Sequence, residues 1–548
     1  MFSFLFFALL AICLGPSNVS ALNKFGGNVW TPSDIAADAK EVLGPLLSPE
    51  ASIAFPGEPL YDELVTRYSD YDRPTFSVAV AVASMDDVKH AVDYARSKDM
   101  PFLAQSGGHG LTTSTQTVQN ALQISMRRMN YFKVDKKTNI VTVGGGAVTG
   151  ELANVTHANG YEVTVGSCPC TGVMGVGLGA GIGRLQGMYG LFMDNIKSVT
   201  MLFANGTIEK VSEATNPDLW WALRGAGHNF GIGLEAEIQV FPQTNDGMHY
   251  SVDMEFPISR TEQVFKLMNL VQANELPPNL AFFITGHNPG EAGVPVININ
   301  FVWHGTKESA AEHLQPWLDL APLHIKAVYV DWAQLPWETY KGLNNVLCAQ
   351  PGGQRNFYAA NTATYDVSAM VSLWQDWEKM SLKHAGKAKF LLMFQTFASQ
   401  AVRAVDPDSS AFPWRKSSNH FMIVQGTYTD LSLRSEIDRW LKSWQQLLVE
   451  VSGYGRLHQY VNYGHGYYDP MESLYGYEPW RIERLLRLKQ EYDPTGMFDA
   501  YQPIRRDMAA KLASTRPALH EYKKKKVAPG KEADPMQLVM QPEVRTEL

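Results

Sequence analysis

Val165-Gly-Ser-Cys-Pro-Cys-Thr-Gly-Val-Met-Gly-Val-Gly-Leu-Gly-Ala-Gly-Ile-Gly-Arg-Leu-Gln-Gly-Met-Tyr-Gly190 is the stretch on which the reading of this chain turns. Seven glycines lie between Gly166 and Gly183 with no charged side chain among them. Interior glycines weaken a helix or a strand by about 0.5–1 kcal/mol each relative to Ala, so regular secondary structure does not account for them. They suit a backbone that takes positive φ and admits a large ligand at close range. Thr171 to Gly183 is also too short for a membrane span, which needs about 20 residues. A purely structural Gly-rich turn is one alternative. Another is a nicotinamide site, because Gly175-Val-Gly-Leu-Gly-Ala180 satisfies the Gly-x-Gly-x-x-Ala fingerprint. That fingerprint should follow a strand directly and meet an acidic residue about 20 positions later. Here Cys168-Pro-Cys-Thr171 precedes it, and Thr200-Met-Leu-Phe203 stands where the acid is due.

Upstream, Phe76 to Val82 reads as a strand, and Ser84 with Asp87 forms a capping box for a helix whose Val88, Ala91, Val92 and Ala95 make one apolar stripe. A short strand, Pro101 to Ala104, then runs into Gln105-Ser-Gly-Gly-His-Gly110. In that loop consecutive amides can face one concavity and hold the oxygens of a pyrophosphate, with His109 beside whatever is held. Ile140 to Val143 is a further strand, followed by a helix from Thr149 to about Gly160. Downstream, Ile196 to Phe203 and Thr207 to Val211 flank Asn205-Gly206, a strong hairpin signal. A second Gly-rich loop, Ala226 to Gly233, enters a strand ending near Val240.

The apolar run from Phe2 to Leu14 and the small residues ending at Ala21 predict a signal peptide over residues 1–21, and hence a secreted or lumenal protein. The sequons at Asn154 and Asn205 fit that compartment and predict exposed, glycosylated positions. Cys13 leaves with the leader; Cys168, Cys170 and Cys348 remain, an odd set in which at least one thiol is free, intermolecular or otherwise consumed. A chain of 548 residues exceeds a single core, and a net charge of −8 gives no reason to expect nucleic acid. No later segment reaches a membrane span, and no metal site is expected.

Taken together these loops resemble the flavin-binding domain of the vanillyl-alcohol oxidase superfamily, and most the berberine-bridge-enzyme-like FAD-linked oxidoreductases. The resemblance covers about residues 65 to 243 and returns at 456 to 504. It implies that His109, in Ser106-Gly-Gly-His109, is joined to the flavin 8α carbon, and that Cys168, in Gly166-Ser-Cys-Pro169, is joined to carbon 6. Gly172 and Gly175 fall where the family has glycines when counted from Cys168, which favours it over Cys170. It further implies that Ser106, Gly107, Gly108, Gly110, Gly172, Val173, Gly175, Gly179, Gly181, Gly231, Ile232 and Asn462 line FAD. Val173 is the small residue that oxidases of the family tend to carry where O2 reaches the flavin. Three positions depart from the pattern: Met174 and Ala180 replace glycines and narrow the space over the flavin, and Gln123 replaces an Asp.

The implied fold class is α+β. A two-subdomain PCMH-type FAD-binding domain (65–243) follows an N-terminal extension (22–64) and precedes a sheet-and-helix substrate domain (244–455) that roofs the pocket. A C-terminal segment (456–504) returns to the FAD domain, and 505–548, with its Lys523-Lys-Lys-Lys526 run, is predicted to be a disordered tail. Arg456 to Tyr463 alternates as a strand, which puts Tyr460 and Asn462 on one face and Val461 and Tyr463 on the other. Tyr460 or Tyr463 is the expected base; a phenol near its ordinary pKa needs a nearby cation or hydrogen bond, and Arg456 is close in sequence. The expected function is a secreted FAD-dependent oxidoreductase. Hydride passes from an alcohol, amine or activated C–H of a small molecule or sugar to flavin N5, with O2 as electron acceptor. The competing readings are a catalytically inactive flavin-binding protein and an FAD dehydrogenase that does not use O2.

Overall fold

The computed structural model describes residues 23–25, 28–288, 293–349, 351–417, 420–466 and 469–505. The predicted leader and the tail from residue 506 onward lie outside the described residues.

Three sheets organise the chain. The first has four strands in the order Ser52–Ala54, Phe76–Ala81, Ala121–Ser125, Phe102–Gln105, with its last three strands parallel. Its crossover helix, Met85–Ser97, begins where expected: the Ser84 side chain accepts from the Asp87 amide and the Asp87 side chain accepts from the Ser84 amide. Val88, Ala91, Val92 and Ala95 of that helix are fully buried against the sheet. The second sheet is antiparallel, in the order Ile208–Val211, Ile196–Leu202, Ile232–Gln239, Ile140–Gly144, Phe132–Asp135. Its first two strands are the hairpin read from Asn205-Gly206, and Gly206 takes φ +84°, which the turn requires. Asn205 at that turn and Asn154 on the helix Thr149–Ala158 are both exposed.

The third sheet is the roof. Seven antiparallel strands run in the order His324–Asp331, Met248–Pro257, Val296–Trp303, Leu280–His287, Ala388–Phe397, His420–Tyr428, Gln354–Thr362. Alternation assigns its two faces. Phe282, Ile284, Leu392, Phe394, Met422 and Val424 point to one side, into a core shared with the helices Thr261–Ala273, Val367–Lys383 and Arg434–Glu450. Phe283, Leu391, Met393, Gln395, Ile423 and Gln425 point to the other, over the Gly-rich loops. Toward one edge that inner face is polar and buried: His304 Nε2 lies 2.9 Å from Glu162 Oε1, and the Nδ1 atoms of His304 and His249 are 3.3 Å apart.

The C-terminal segment returns as expected, but not as a strand. The chain approaches Tyr460 without pairing in any sheet and then closes a 3-10 turn, Val461–Tyr463. The Gln459 amide is taken by the Ser473 carbonyl and the Tyr463 amide by that of Tyr460, so no amide ladder is left to extend. The turn brings Tyr460, Asn462 and Tyr463 to one cleft instead of dividing them between two faces. The helix Pro479–Tyr492 carries Pro at its first position. From it the buried Lys489 donates to the Asn229 carbonyl (2.7 Å) and pairs with Asp493 (2.7 Å) and Asp499 (2.8 Å). The Phe498 ring meets Phe102 edge-on at 5.8 Å.

Candidate active site

A cleft of about 400 Å³ opens between the first two sheets and the roof. The loop 106–110, the loop around Cys168, the Gly231–Gly233 strand entry and the returning segment 460–463 with 497–501 all wall it. The loops touch closely: a Cβ on Gly107 would lie 2.8 Å from the Gly172 amide, and one on Gly172 would lie 2.9 Å from the Ser106 side chain. Gly175 is the opposite case. Nothing lies within 4 Å of where its Cβ would project, although the residue walls the cleft. Protein packing therefore does not demand a glycine there, whereas a flat ligand laid along the wall does. That open strip fits a bound flavin nucleotide.

His109 and Cys168 face each other across this wall, with a ring nitrogen and the sulfur within 4.8 Å. That separation lets both side chains meet one edge of a single aromatic ring. The His109 ring stacks on Tyr68 with centroids 4.5 Å apart, and Arg355 covers the Tyr68 ring at 4.0 Å. Burial, aided by the Arg355 charge, lowers the His109 pKa to about 4, which keeps the imidazole neutral and its lone pair available at neutral pH. The Cys168 carbonyl accepts from the hydroxyls of Thr149 (2.7 Å) and Thr171 (2.9 Å), which fixes the residue's backbone. Burial pushes its thiol up to about 11.

The cysteine count resolves here. Cys170 and Cys348 form a disulfide across 178 residues, and Cys168 is the free cysteine among the described residues. The bond joins the Cys168 loop to the helix Leu343–Ala349, whose Leu343, Asn344 and Leu347 wall the cleft. Its pairing was not readable from the sequence.

The cleft brings together Ser106, Gly107, Gly108, His109, Gly110, Cys168, Gly172, Gly175, Gly231, Ile232, Tyr460, Asn462 and Tyr463. Val173, Gly179 and Gly181 are not in its wall. Val173 starts the short helix Val173–Leu178 with its side chain 1% exposed in the core, so it does not stand over the cleft; its neighbour Met174 does. Gly179 makes room for the Asn462 amide, and Gly181, at φ +76°, packs on Phe192. Ala180 between them carries φ +98°, a conformation in which the usual glycine would be unstrained.

The two tyrosines differ in surroundings. The Tyr460 hydroxyl accepts from the Gly181 amide (3.0 Å) and Asn462 Nδ2 (2.6 Å), and burial holds its pKa up at about 12 despite them. The Tyr463 hydroxyl accepts one hydrogen bond, from Gln395 Nε2 of the roof at 2.7 Å, and burial raises its pKa strongly. Arg456 is elsewhere, stacked on Tyr477 at 3.9 Å. Sequence reading missed the roof's contribution, Gln395, Gln425, Leu391 and Met393, because strand alternation does not tell which face meets another domain.

Residues 76–212 match the family model described as FAD binding domain. The chain is 38% identical over 481 residues to the FAD-linked oxidoreductase alt4 of Alternaria solani, an alignment covering 86% of this chain and 97% of that protein. Its fold is similar to that of xylooligosaccharide oxidase from Myceliophthora thermophila C1 (TM-score 0.71, 22% identity, 85% of this chain and 98% of the other). It is also similar to glucooligosaccharide oxidase from Acremonium strictum, described with a 6-S-cysteinyl, 8α-N1-histidyl FAD (TM-score 0.71, 20% identity, 84% and 97%). Fold and cleft thus define a flavoprotein oxidoreductase. The chain belongs to the FAD-linked oxidoreductases. Among the described residues no helix is long and apolar enough to cross a membrane.

Proposed function

We propose that this protein is a secreted oxidase in which FAD is attached twice, through His109 and Cys168, and in which Tyr463 takes the substrate's proton. The observation that carries the reading is the approach of the His109 ring nitrogen and the Cys168 sulfur to within 4.8 Å between two glycine-rich loops of the cleft wall. The 6-S-cysteinyl, 8α-N1-histidyl FAD named for the glucooligosaccharide oxidase neighbour supports it. When bound, FAD would supply the two-electron acceptor for the substrate's hydride, with O2 as the final oxidant. The chain's own part is position and proton transfer. Tyr463 is favoured because its oxygen is the more open to a substrate proton: it accepts from Gln395 alone, whereas that of Tyr460 is already occupied by the Gly181 amide and Asn462. The Gln395 donor stabilises the phenolate that Tyr463 must become to accept a proton. The oxidases among proteins of similar fold support O2 as acceptor. The apolar leader and the exposed sequons at Asn154 and Asn205 support export and glycosylation.

Acid precipitation tests the double attachment. Wild type and the single variants His109→Ala and Cys168→Ala should keep yellow flavin in the pellet, and only His109→Ala/Cys168→Ala should release all of it. Flavin in the wild-type supernatant, or flavin retained by the double variant, refutes the assignment. Peroxide formation when air is admitted to the substrate-reduced enzyme tests O2 as acceptor.

A further inference from the structure

We propose that Glu162, His249 and His304 hold one divalent transition-metal ion, zinc by the type of ligand, which clasps the flavin-binding half of the chain to the roof. The cluster stands apart from the cleft, since none of the three residues is in its wall. Glu162 ends the short strand Tyr161–Glu162, which pairs with Phe241–Pro242. His249 lies in the roof strand Met248–Pro257, and His304 directly follows Val296–Trp303. Tyr250 faces Trp303 across those two strands, so the next pair of positions sets His249 against His304, and the glutamate meets them from the other half of the chain. His249 and His304 are 55 positions apart and Glu162 belongs to another domain, so no ligand spacing shows in the sequence.

One donor atom from each residue lies within 4.8 Å of the other two. All three residues are buried, Glu162 and His249 completely. A tetrahedral zinc ion with bonds of about 2.1 Å keeps its donors about 3.4 Å apart, so side-chain rotations that close the set by about 1.4 Å complete the site. Two imidazoles and one carboxylate are a donor set that zinc takes. Tyr189 donates to Glu162 Oε1 (2.7 Å) and orients the carboxylate from behind. The Thr244 hydroxyl, in contact with His304 Nε2, is at hand for the fourth position.

Hydrogen bonds alone leave the cluster incomplete. His304 lies between the other two, with Nε2 2.9 Å from Glu162 Oε1 and Nδ1 3.3 Å from His249 Nδ1. That line leaves Glu162 Oε2 and His249 Nε2, both buried, with no hydrogen-bond partner among the described residues. A buried lone pair without a donor is costly, and so is a carboxylate buried without a full counter-charge. Among the described residues His304 is the one ion-pair partner of Glu162; Arg184 turns instead to Thr339 (2.9 Å) and Tyr340. Water serves the lone pairs but not the charge, whereas a cation serves both. Burial lowers the His249 pKa well below the usual imidazole range, so its ring stays neutral with a lone pair to give.

The test is the metal content of the holoenzyme after incubation with excess zinc chloride and gel filtration, read by plasma mass spectrometry. One equivalent per chain is expected in the wild type and in Cys168→Ala, and less than about 0.1 equivalent in Glu162→Gln/His249→Gln. At a thousandfold excess over its Kd, zinc should raise the wild-type thermal midpoint by about 4 °C. Because the donor atoms must be free of protons, uptake should release protons and weaken as pH is lowered. Wild type that retains no zinc, or a double variant that retains as much as wild type, overturns the proposal; the second outcome marks exposed histidines as adventitious ligands. Loss in Cys168→Ala with retention in the double variant also overturns it and moves the metal to the His109 loop. If the double variant does not fold, cobalt-loaded wild type decides alone. Intense tetrahedral d–d bands beyond the flavin absorption, with no thiolate-to-cobalt charge transfer, support the site, and weak six-coordinate bands, thiolate charge transfer or no bands overturn it.

Discussion

Replacing both Cys170 and Cys348 by Ser removes the covalent tie between the flavin-side loop and the helix Leu343–Ala349. The bond closes a loop of 178 residues. In the chain-entropy account, releasing a loop of that length from the unfolded state costs the folded protein about 5 kcal/mol at 25 °C. Unfolding entropy near 2.1 cal/mol/K per residue gives about 1 kcal/mol/K for a chain this long, so the midpoint of thermal unfolding should fall by about 5 °C. The assay is thermal denaturation of the holoprotein followed by circular dichroism, with flavin content matched between samples. Cys168 remains as the free cysteine of the region, so the flavin attachment proposed for it should survive and serves as the control for correct folding. A midpoint unchanged within about 1 °C would refute the reasoning, because it would mean that the bond's restriction of the unfolded chain is offset elsewhere. A fall accompanied by loss of covalent flavin would place the bond's effect on the Cys168 loop itself.

Three other predictions follow from the site and its burial, one of them the acid-precipitation outcome given above. Tyr463→Phe should lower kcat by about 10²- to 10⁴-fold with flavin content intact, and since burial raises the Tyr463 pKa, wild-type kcat/KM should climb about tenfold per pH unit from pH 6 to 9; a bell centred near pH 7 contradicts it. Burial lowers the pKa of His228 and His420 to about 3 and of His465 to about 4. The unfolded chain therefore binds more protons below pH 6.5, and the stability these neutral histidines carry is lost as pH falls from 6.5 toward 4. Asp469, raised to about 6 by burial, opposes one of the three. These four groups together give a loss of about 3 kcal/mol between pH 6 and 5, a midpoint drop of about 3 °C, which His109 and His458, also lowered to about 4 by burial, deepen; an unchanged midpoint over that step contradicts it.

Much of this architecture was legible because local chemistry agreed with tertiary demand. Ser84 and Asp87 could be read as a cap, and Asn205-Gly206 as a turn, since both motifs complete their hydrogen bonds within a few residues. The loops of His109 and Cys168 were legible for a different reason: their glycines, Gly107 and Gly172 among them, allow a close approach of two segments that side chains would hold apart. The failures share a cause. Arg456 to Tyr463 alternates like a strand, yet no sheet edge waits there, and a half-buried segment ending in a 3-10 turn alternates equally well. Val173 has the right neighbours in sequence, but the helix that begins with it turns its side chain into the core. The Cys170–Cys348 pairing and the Gln395–Tyr463 contact depend on how the roof docks, which no local pattern carries.

The returning C-terminal segment also sets a schedule. The wall of the cleft needs residues 106–110, near the front of the chain, and Tyr460, Asn462, Tyr463, Phe498 and Tyr501, near its end. Synthesis runs from the N-terminus, and domains fold as they emerge. The first two sheets can therefore stand complete on the ribosome while the flavin pocket still lacks a side. Secure capture of the cofactor waits until the last described helix has been released and its Lys489 has found the Asn229 carbonyl. A chain that stops before residue 460 would keep both nucleophiles and every glycine of the front loops, and still have no closed chamber in which to use them.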